Sequence, residues 1–357
     1  MDTERYIVVG NGLAAQVLAH QLIEYQIPFR LIGKKELSSS SRIAAGIWNP
    51  LVFKRMTSSW MAGELIRELH LFYRTCEQRM NRTFLHNRIL IRPFTEEQEK
   101  QLWLKRAQNE LSAFIRPEIH TKVPQEFSDC SIPNGYGLVE QCGNLNLRDF
   151  LESGDRYFSE HLQQEQFDHH QLLVRSDHIQ YKSIRAKGII FCEGHLVSDN
   201  PFFSWLPMKP VKGELMRVKI PGLNFGKGLL NKNGFLMDLE AEDFLCGATY
   251  DWDDLNDCTT ARGLAELKAK LENMFKGEYN ITARFAGVRP SSIDRRPILG
   301  SHPRYGNVYV FNGLGAKGVM LAPYFARKFV HFLLKKDSLP AEVDVQRFYQ
   351  NYADKKT

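Results

Sequence analysis

The sequence predicts an α/β protein built on a nucleotide-binding parallel sheet, and three observations predict it. "YIVVGNGLAAQVLAHQLIEYQIPFRLIG" (6–33) reads as strand, glycine turn, helix and second strand. A matching unit lies near the other end: a strand at Val308–Asn312, a turn holding Gly313, Gly315 and Gly318, and an apolar helix from about Val319. The chain has 357 residues, 43% of them hydrophobic and 25% charged, enough for two or three domains with a sizeable core.

The first unit is justified residue by residue. Tyr6–Val9 is a continuous apolar run, as a strand buried on both faces requires. Gly10 permits a tight turn, Gly12 lets backbone approach a pyrophosphate, and Ala15 supplies the small third position where helix meets strand. Leu13, Val17, Leu18 and Leu22 recur at helical spacing. The first helical residues, Leu13 and Ala14, sit where free N–H groups and the positive dipole end face phosphate. The unit is therefore Rossmann-like. Its second strand, Phe29–Ile32, ends at Gly33, where such folds place an acid that holds a ribose. Lys34 and Lys35 follow. Two readings arise: NADP, with a lysine on the 2′-phosphate, or FAD, with the ribose held by backbone, water or Glu36. Alone, this unit favours an NADP-dependent reductase.

Next comes "SSSSRIAAGIWNP" (38–50). Ser40, Ser41, Ala44, Ala45 and Gly46, with Arg42 among them, suggest backbone passing close to a flat, bulky group. Helices are expected over 57–80 (Leu65, Leu69, Phe72 and Tyr73 on one face) and 95–114 (Thr95 and Gln98 at capping-box spacing). A third is expected from Asn144 or Asn146 as N-cap to about 162. Strands are expected over 84–94, 213–220, 228–240 and 243–252, with "KNG" (232–234) as a hairpin turn. In the last helix, Pro323 is placed in the first turn, where its missing N–H costs little.

Composition narrows the function classes. The net charge is +6, but the basic residues are scattered, without the stripe a nucleic-acid surface needs. No run is long and apolar enough for a membrane helix. Six cysteines show no C-x-x-C and no metal spacing, which suggests free thiols in a reducing compartment and no metal site. "RYIVVG" enters the first strand at once, so no signal peptide is expected and the expected location is cytoplasmic. The sequence shows no internal repeat and no low-complexity segment, and it does not fix the oligomeric state.

Three separated motifs, "VVGNGLAA", "SSRIAAGIWNP" and "GVRPSSIDRRPILG…NGLGAKGVMLAP", together resemble the D-amino-acid oxidase / glycine oxidase family of FAD-dependent oxidoreductases. "AKGIIFCEG" (186–194), a strand ending at Gly194, is a weaker fourth match. The C-terminal block also resembles the oxidase domain of bifunctional tRNA-wobble-uridine modification enzymes. The resemblance implies FAD as cofactor, bound non-covalently, and outweighs the NADP reading. It implies a discontinuous FAD-binding domain (1–50, 145–205 and 285–357) and an α+β substrate domain (51–144 and 206–284). It implies oxidation of a C–N bond in a small amine or amino acid by hydride transfer to flavin N5. Backbone at Gly313, Gly315, Gly318 and Val319, with Lys317 as the cation, would face the charge that forms near N1 and O2. Arg289 would fork onto a substrate carboxylate. Gly33, Lys34, Ser41, Arg42, Ala44, Ala45, Gly46, Phe167 and Gly194 complete the expected FAD contacts. Ala316 stands where some glycine oxidase relatives carry a substrate-contacting arginine. His195, Tyr250 and Trp252 read as pocket wall or plain structure. The other readings kept open are a tRNA-directed oxidase and a non-catalytic flavin-binding module.

Overall fold

The computed structural model describes residues 3–35, 39–123 and 125–354. Two eight-stranded sheets organise them. The first runs in the order Ile298–Ser301, Val308–Asn312, Ile184–Phe191, Thr3–Val9, Phe29–Ile32 and Leu162–Gln163. All its neighbours along this path are parallel except Ile298–Ser301 against Val308–Asn312. A hairpin, Leu172–Val174 and Ile179–Tyr181, adds to the start of Ile184–Phe191.

The expected first strand is in place, and its alternation explains why it is apolar throughout. Tyr6 and Val8 face one core with the helices Leu13–Glu24 and Gly318–Leu333, while Ile7 and Val9 face a second core with Phe191, Phe203 and Trp205. Both faces exclude water, so each such side chain contributes roughly 1.5–3 kcal/mol of burial.

The second sheet runs Asn280–Arg289, Val211–Lys219, Asp243–Gly247, Phe235–Asp238, Leu229–Asn231, Leu85–Pro93, Tyr136–Leu145 and Ile47–Trp48. It is antiparallel apart from Leu229–Asn231 beside Leu85–Pro93. Of its outer strands, Asn280–Arg289 crosses the expected border at 285, while Ile47–Trp48 joins this sheet from within 1–50. The "KNG" hairpin forms, with Asn233 at φ +56 and the Lys232 N–H donating to the Gly234 carbonyl at 3.1 Å.

Several helices are shorter than expected, for local reasons. The helix expected from 57 starts at Ala62, because Thr57–Ser58 pairs with Leu51–Val52 and the Ser59 N–H donates to the Pro50 carbonyl. The helix expected over 95–114 is Glu97–Ala107. The Asn109 side-chain amide donates to the Lys105 carbonyl and competes with further helix. At its start, Glu99 rather than Gln98 accepts from the Thr95 N–H, at 2.6 Å. Asn146 caps Leu147–Tyr157 by accepting from the Asp149 N–H, while Asn144 belongs to the preceding strand.

Pro323 is not in the first turn of its helix, which begins at Gly318. It therefore leaves the Val319 carbonyl without its N–H donor. The fully buried Tyr73 hydroxyl donates to that carbonyl at 3.2 Å, so a neighbouring helix repairs the gap.

Candidate active site

A cleft of about 600 Å³ opens at the C-terminal ends of the parallel strands and reaches the second sheet. This is where open α/β sheets carry ligands. Two helix N-termini face it, and they meet: a Cβ on Gly318 would lie 3.1 Å from Leu13 Cδ2.

At the first helix, Gly10 has φ +118, and a Cβ there would lie 2.5 Å from the Cys192 carbonyl oxygen. Only glycine fits both constraints. Gly12 is the N-cap and gives no side-chain cap, and the first turn has no acid. The Leu13 N–H donates to Ser41 Oγ at 3.1 Å. Gly10, Gly12, Leu13 and Ala14 line the cleft. Ala15 does not; it is fully buried where the helix packs on the sheet.

Arg42 is also absent from the cleft wall. Its guanidinium turns inward, 2.9 Å from Asp155 Oδ2, with both side chains nearly buried. Asp155 Oδ1 accepts from Asn11 Nδ2 and Gln16 Nε2, each at 2.9 Å. The arginine thus braces the helix Ser40–Ile43 against Leu147–Tyr157. Ser41, Ala44, Ala45 and Gly46 do line the cleft. Gly46 has a second constraint: at φ +67, its Cβ would lie 2.0 Å from the Leu145 carbonyl oxygen.

The missing acid has a steric explanation. A Cβ at Gly33 would lie 2.6 Å from the Gly10 carbonyl carbon and 2.7 Å from the Asn11 nitrogen, so no acid fits. Lys34 is exposed on the cleft wall; Lys35 lies 4.0 Å from Glu152. Glu36 lies outside the described residues. Phe167 lines the cleft and stacks on Tyr181 at 4.3 Å between ring centroids. Gly194, at φ +61, also lines it.

At the second helix, Gly315, Lys317, Gly318 and Val319 line the cleft, while Gly313 (φ +74) only turns the chain towards it. The helix N-terminus has no side-chain cap and no acid in its first turn. Lys317 Nζ donates to the buried Ser59 Oγ and makes no ion pair among the described residues. Burial lowers its pKa to about 8.

Arg289 ends the strand Asn280–Arg289 and lines the same cleft. Its Nη1 donates to the carbonyls of Lys212 (3.3 Å) and Thr249 (3.2 Å). Its guanidinium lies 4.5 Å from the Tyr250 ring centroid. No ion pair neutralises it among the described residues, and burial lowers its pKa. A Cβ at Gly213 would lie 2.0 Å from Arg289 Nη2, so the neighbouring strand must be bare there. Gly213 opens the expected strand 213–220, but nothing in the sequence tied it to Arg289. Ser59 likewise carried no signal in sequence.

These features fit FAD. Two helix N-termini whose N-cap residues give no side-chain cap, a bare glycine cradle and one long cleft suit a diphosphate and a ring system. The comparisons agree. Residues 5–331 match the family model DAO, FAD dependent oxidoreductase. The chain belongs to this FAD-dependent oxidoreductase family, as the three motifs implied. Its cofactor is therefore FAD rather than NADP, and the 2′-phosphate role of Lys34 and Lys35 falls away. The glycine oxidase of Bacillus licheniformis is 29% identical over 116 residues, 32% of this chain and 31% of that enzyme. The match thus spans about a third of that relative's length. The tRNA 5-methylaminomethyl-2-thiouridine biosynthesis bifunctional protein MnmC of Marinobacter nauticus is 22% identical across 98% of this chain and 59% of its own. The crystal structure of L-proline dehydrogenase from P. horikoshii superposes with a TM-score of 0.79 at 15% identity, covering 98% of each chain, which shows the shared fold. No described helix is long and apolar enough to cross a membrane.

Proposed function

We propose that this protein oxidises the C–N bond of a small amine or amino acid. The observation that carries the reading is that one cleft with two glycine turns holds two cations, Arg289 and Lys317, that have no carboxylate partner among the described residues. When bound, FAD supplies the hydride acceptor. Gly10, Gly12, Leu13 and Ala14 would hold its diphosphate; Gly315, Gly318 and Val319 would present N–H groups to its ring. Lys317, protonated below about pH 8, would balance negative charge at that end. Arg289 would hold the substrate carboxylate through its Nη2 edge and so orient the carbon that loses hydride. The expected division, 1–50, 145–205 and 285–357 for FAD and 51–144 and 206–284 for substrate, is part of this proposal. Glycine oxidase as a relative supports the substrate class.

The test is anaerobic mixing of the FAD-loaded protein with a panel of amino acids, N-methyl amines and imino acids. Flavin absorbance at about 450 nm should bleach with at least one. Arg289→Lys should need a far higher concentration of that substrate. A protein that takes up no FAD, or that no amine bleaches, sinks the reading. A second reading, a tRNA-directed oxidase, draws on the match to MnmC across 98% of this chain. It requires tRNA binding that weakens steeply with salt; no binding at low salt removes it.

A further inference from the structure

A second cavity, of about 250 Å³, shares no lining residue with the cleft. Arg79, Met80, Arg82, Ser153, Arg156 and Tyr157 line it. It lies where the C-terminal turns of the helices Ala62–Met80 and Leu147–Tyr157 meet, with Arg82 just beyond the first. Three of the six lining residues are arginines, and none is acidic. Arg79 pairs with Glu24, whereas Arg82 and Arg156 are exposed and make no ion pair among the described residues. Three arginines less Glu24 leave two positive charges around one small hollow.

Capping of helix carbonyls is the ordinary reason for arginine at such ends. Among the described residues, none of the three guanidinium groups donates to a helix carbonyl. Arg156 Nη2 donates to Ser153 Oγ at 3.2 Å, and Arg79 donates to Glu24. Backbone N–H groups close the turns instead: Asn81 onto Gln78, Arg82 onto Glu77 and Phe158 onto Gly154. Each helix dipole attracts its own cation, but it gives no reason for three to share one hollow, where they repel.

The walls of the hollow are fixed. Ser153 is only 5% exposed. A Cβ on its neighbour Gly154 would lie 2.0 Å from Gln16 Oε1, so this helix packs hard against Leu13–Glu24. Tyr157 stacks on the buried His20, with ring centroids 5.4 Å apart. Ser153 Oγ accepts from Arg156, which leaves its own O–H to donate.

We propose that this cavity is a second ligand site, taking the dianionic phosphate of a small phosphate monoester through Arg79, Arg82, Arg156 and Ser153. Guanidinium groups match phosphate oxygens two at a time. The two uncompensated positive charges match a dianion better than a carboxylate or a nucleic-acid phosphodiester, each of which carries a single charge. The site stands apart from the amine-oxidising function and does not depend on it.

The test is calorimetric titration of the FAD-loaded protein at constant ionic strength with inorganic phosphate and with dimethyl phosphate, a diester of single charge. The pH is set at about 8, where phosphate is mainly the dianion. Inorganic phosphate should bind at least about tenfold more tightly than dimethyl phosphate. Arg82→Gln combined with Arg156→Gln should weaken phosphate at least about tenfold, with Tm and FAD content unchanged. Arg82→Glu, at an exposed position outside both helices, is a second variant and should abolish binding. No phosphate binding at roughly 10 mM, or binding that both variants leave intact, overturns the inference. Dimethyl phosphate bound as tightly as phosphate would assign the hollow to a phosphodiester backbone and equally overturn it. FAD lost together with phosphate binding would place the anion at the cofactor's diphosphate turn and overturn it too.

Discussion

The two glycine turns of the cleft use the same local device with different charge. At Gly10–Gly12 the helix end is neutral: Ser41 takes one N–H, and the nearby Arg42 is paired with Asp155. At Gly315–Gly318 the helix end carries Lys317, which has no carboxylate partner among the described residues and a pKa lowered to about 8 by burial. The first turn suits a charge that is always present, since a diphosphate keeps its charge and is met by backbone alone. The second suits a charge that appears only during reaction, where a desolvated cation acts most strongly. On the proposed function, one fold element would serve binding at one end and chemistry at the other.

The comparison can be broken most sharply at Gly10. Gly10→Ala forces a Cβ against the Cys192 carbonyl at an unfavourable φ. We expect a cost of about 3 kcal/mol or more and loss of bound FAD, read as flavin content per chain and Tm. At the other end, Arg289→Leu removes the proposed anion site. Substrate KM should rise roughly 30- to 150-fold, equivalent to about 2–3 kcal/mol, measured by anaerobic flavin reduction.

A smaller effect tests the first unit's packing. His20 is fully buried among Phe72, Phe150, Tyr157 and Phe158, and neither ring nitrogen has a hydrogen-bond partner among the described residues. Burial lowers its pKa from 6.5 to about 3. The folded protein keeps it neutral, whereas the unfolded chain takes up a proton as pH falls below about 6.5. Stability is therefore lost as pH drops through 6.5 and onwards towards 3. His20→Leu should remove about 2 kcal/mol of that loss at roughly pH 5, seen as a flatter Tm against pH. The smallest effect is at the second helix. Tyr73→Phe should cost about 1 kcal/mol by leaving the Val319 carbonyl unpaired, read from denaturant unfolding.

The two units were legible in sequence to different depths. Both strands and both glycine turns follow from apolar runs and glycine spacing, and the structure places Phe29–Ile32 and Val308–Asn312 at the expected bounds. Side-chain direction was not legible. Arg42 lies in a segment whose small residues face the cleft, yet a four-residue helix turns it the opposite way. Gly33 looked like a missing functional group, whereas it marks a steric limit set by Gly10 and Asn11 across the strand pair. Pro323 was assigned to the first turn, whereas it is the sixth residue of a helix that starts at Gly318, close to the expected Val319. Partners distant in sequence, such as Ser59 with Lys317 or Gly213 with Arg289, leave no periodic signal.

The contrast between the two turns is tested most directly by the midpoint potential of bound FAD. If Lys317 serves charge that forms on reduction, Lys317→Met should lower the potential by about 30–60 mV, since about 30 mV corresponds to a tenfold change in a two-electron equilibrium. Lys34→Met, at the other end of the cleft, should leave it unchanged. An unaltered potential in Lys317→Met, or an equal fall in both variants, would contradict the account.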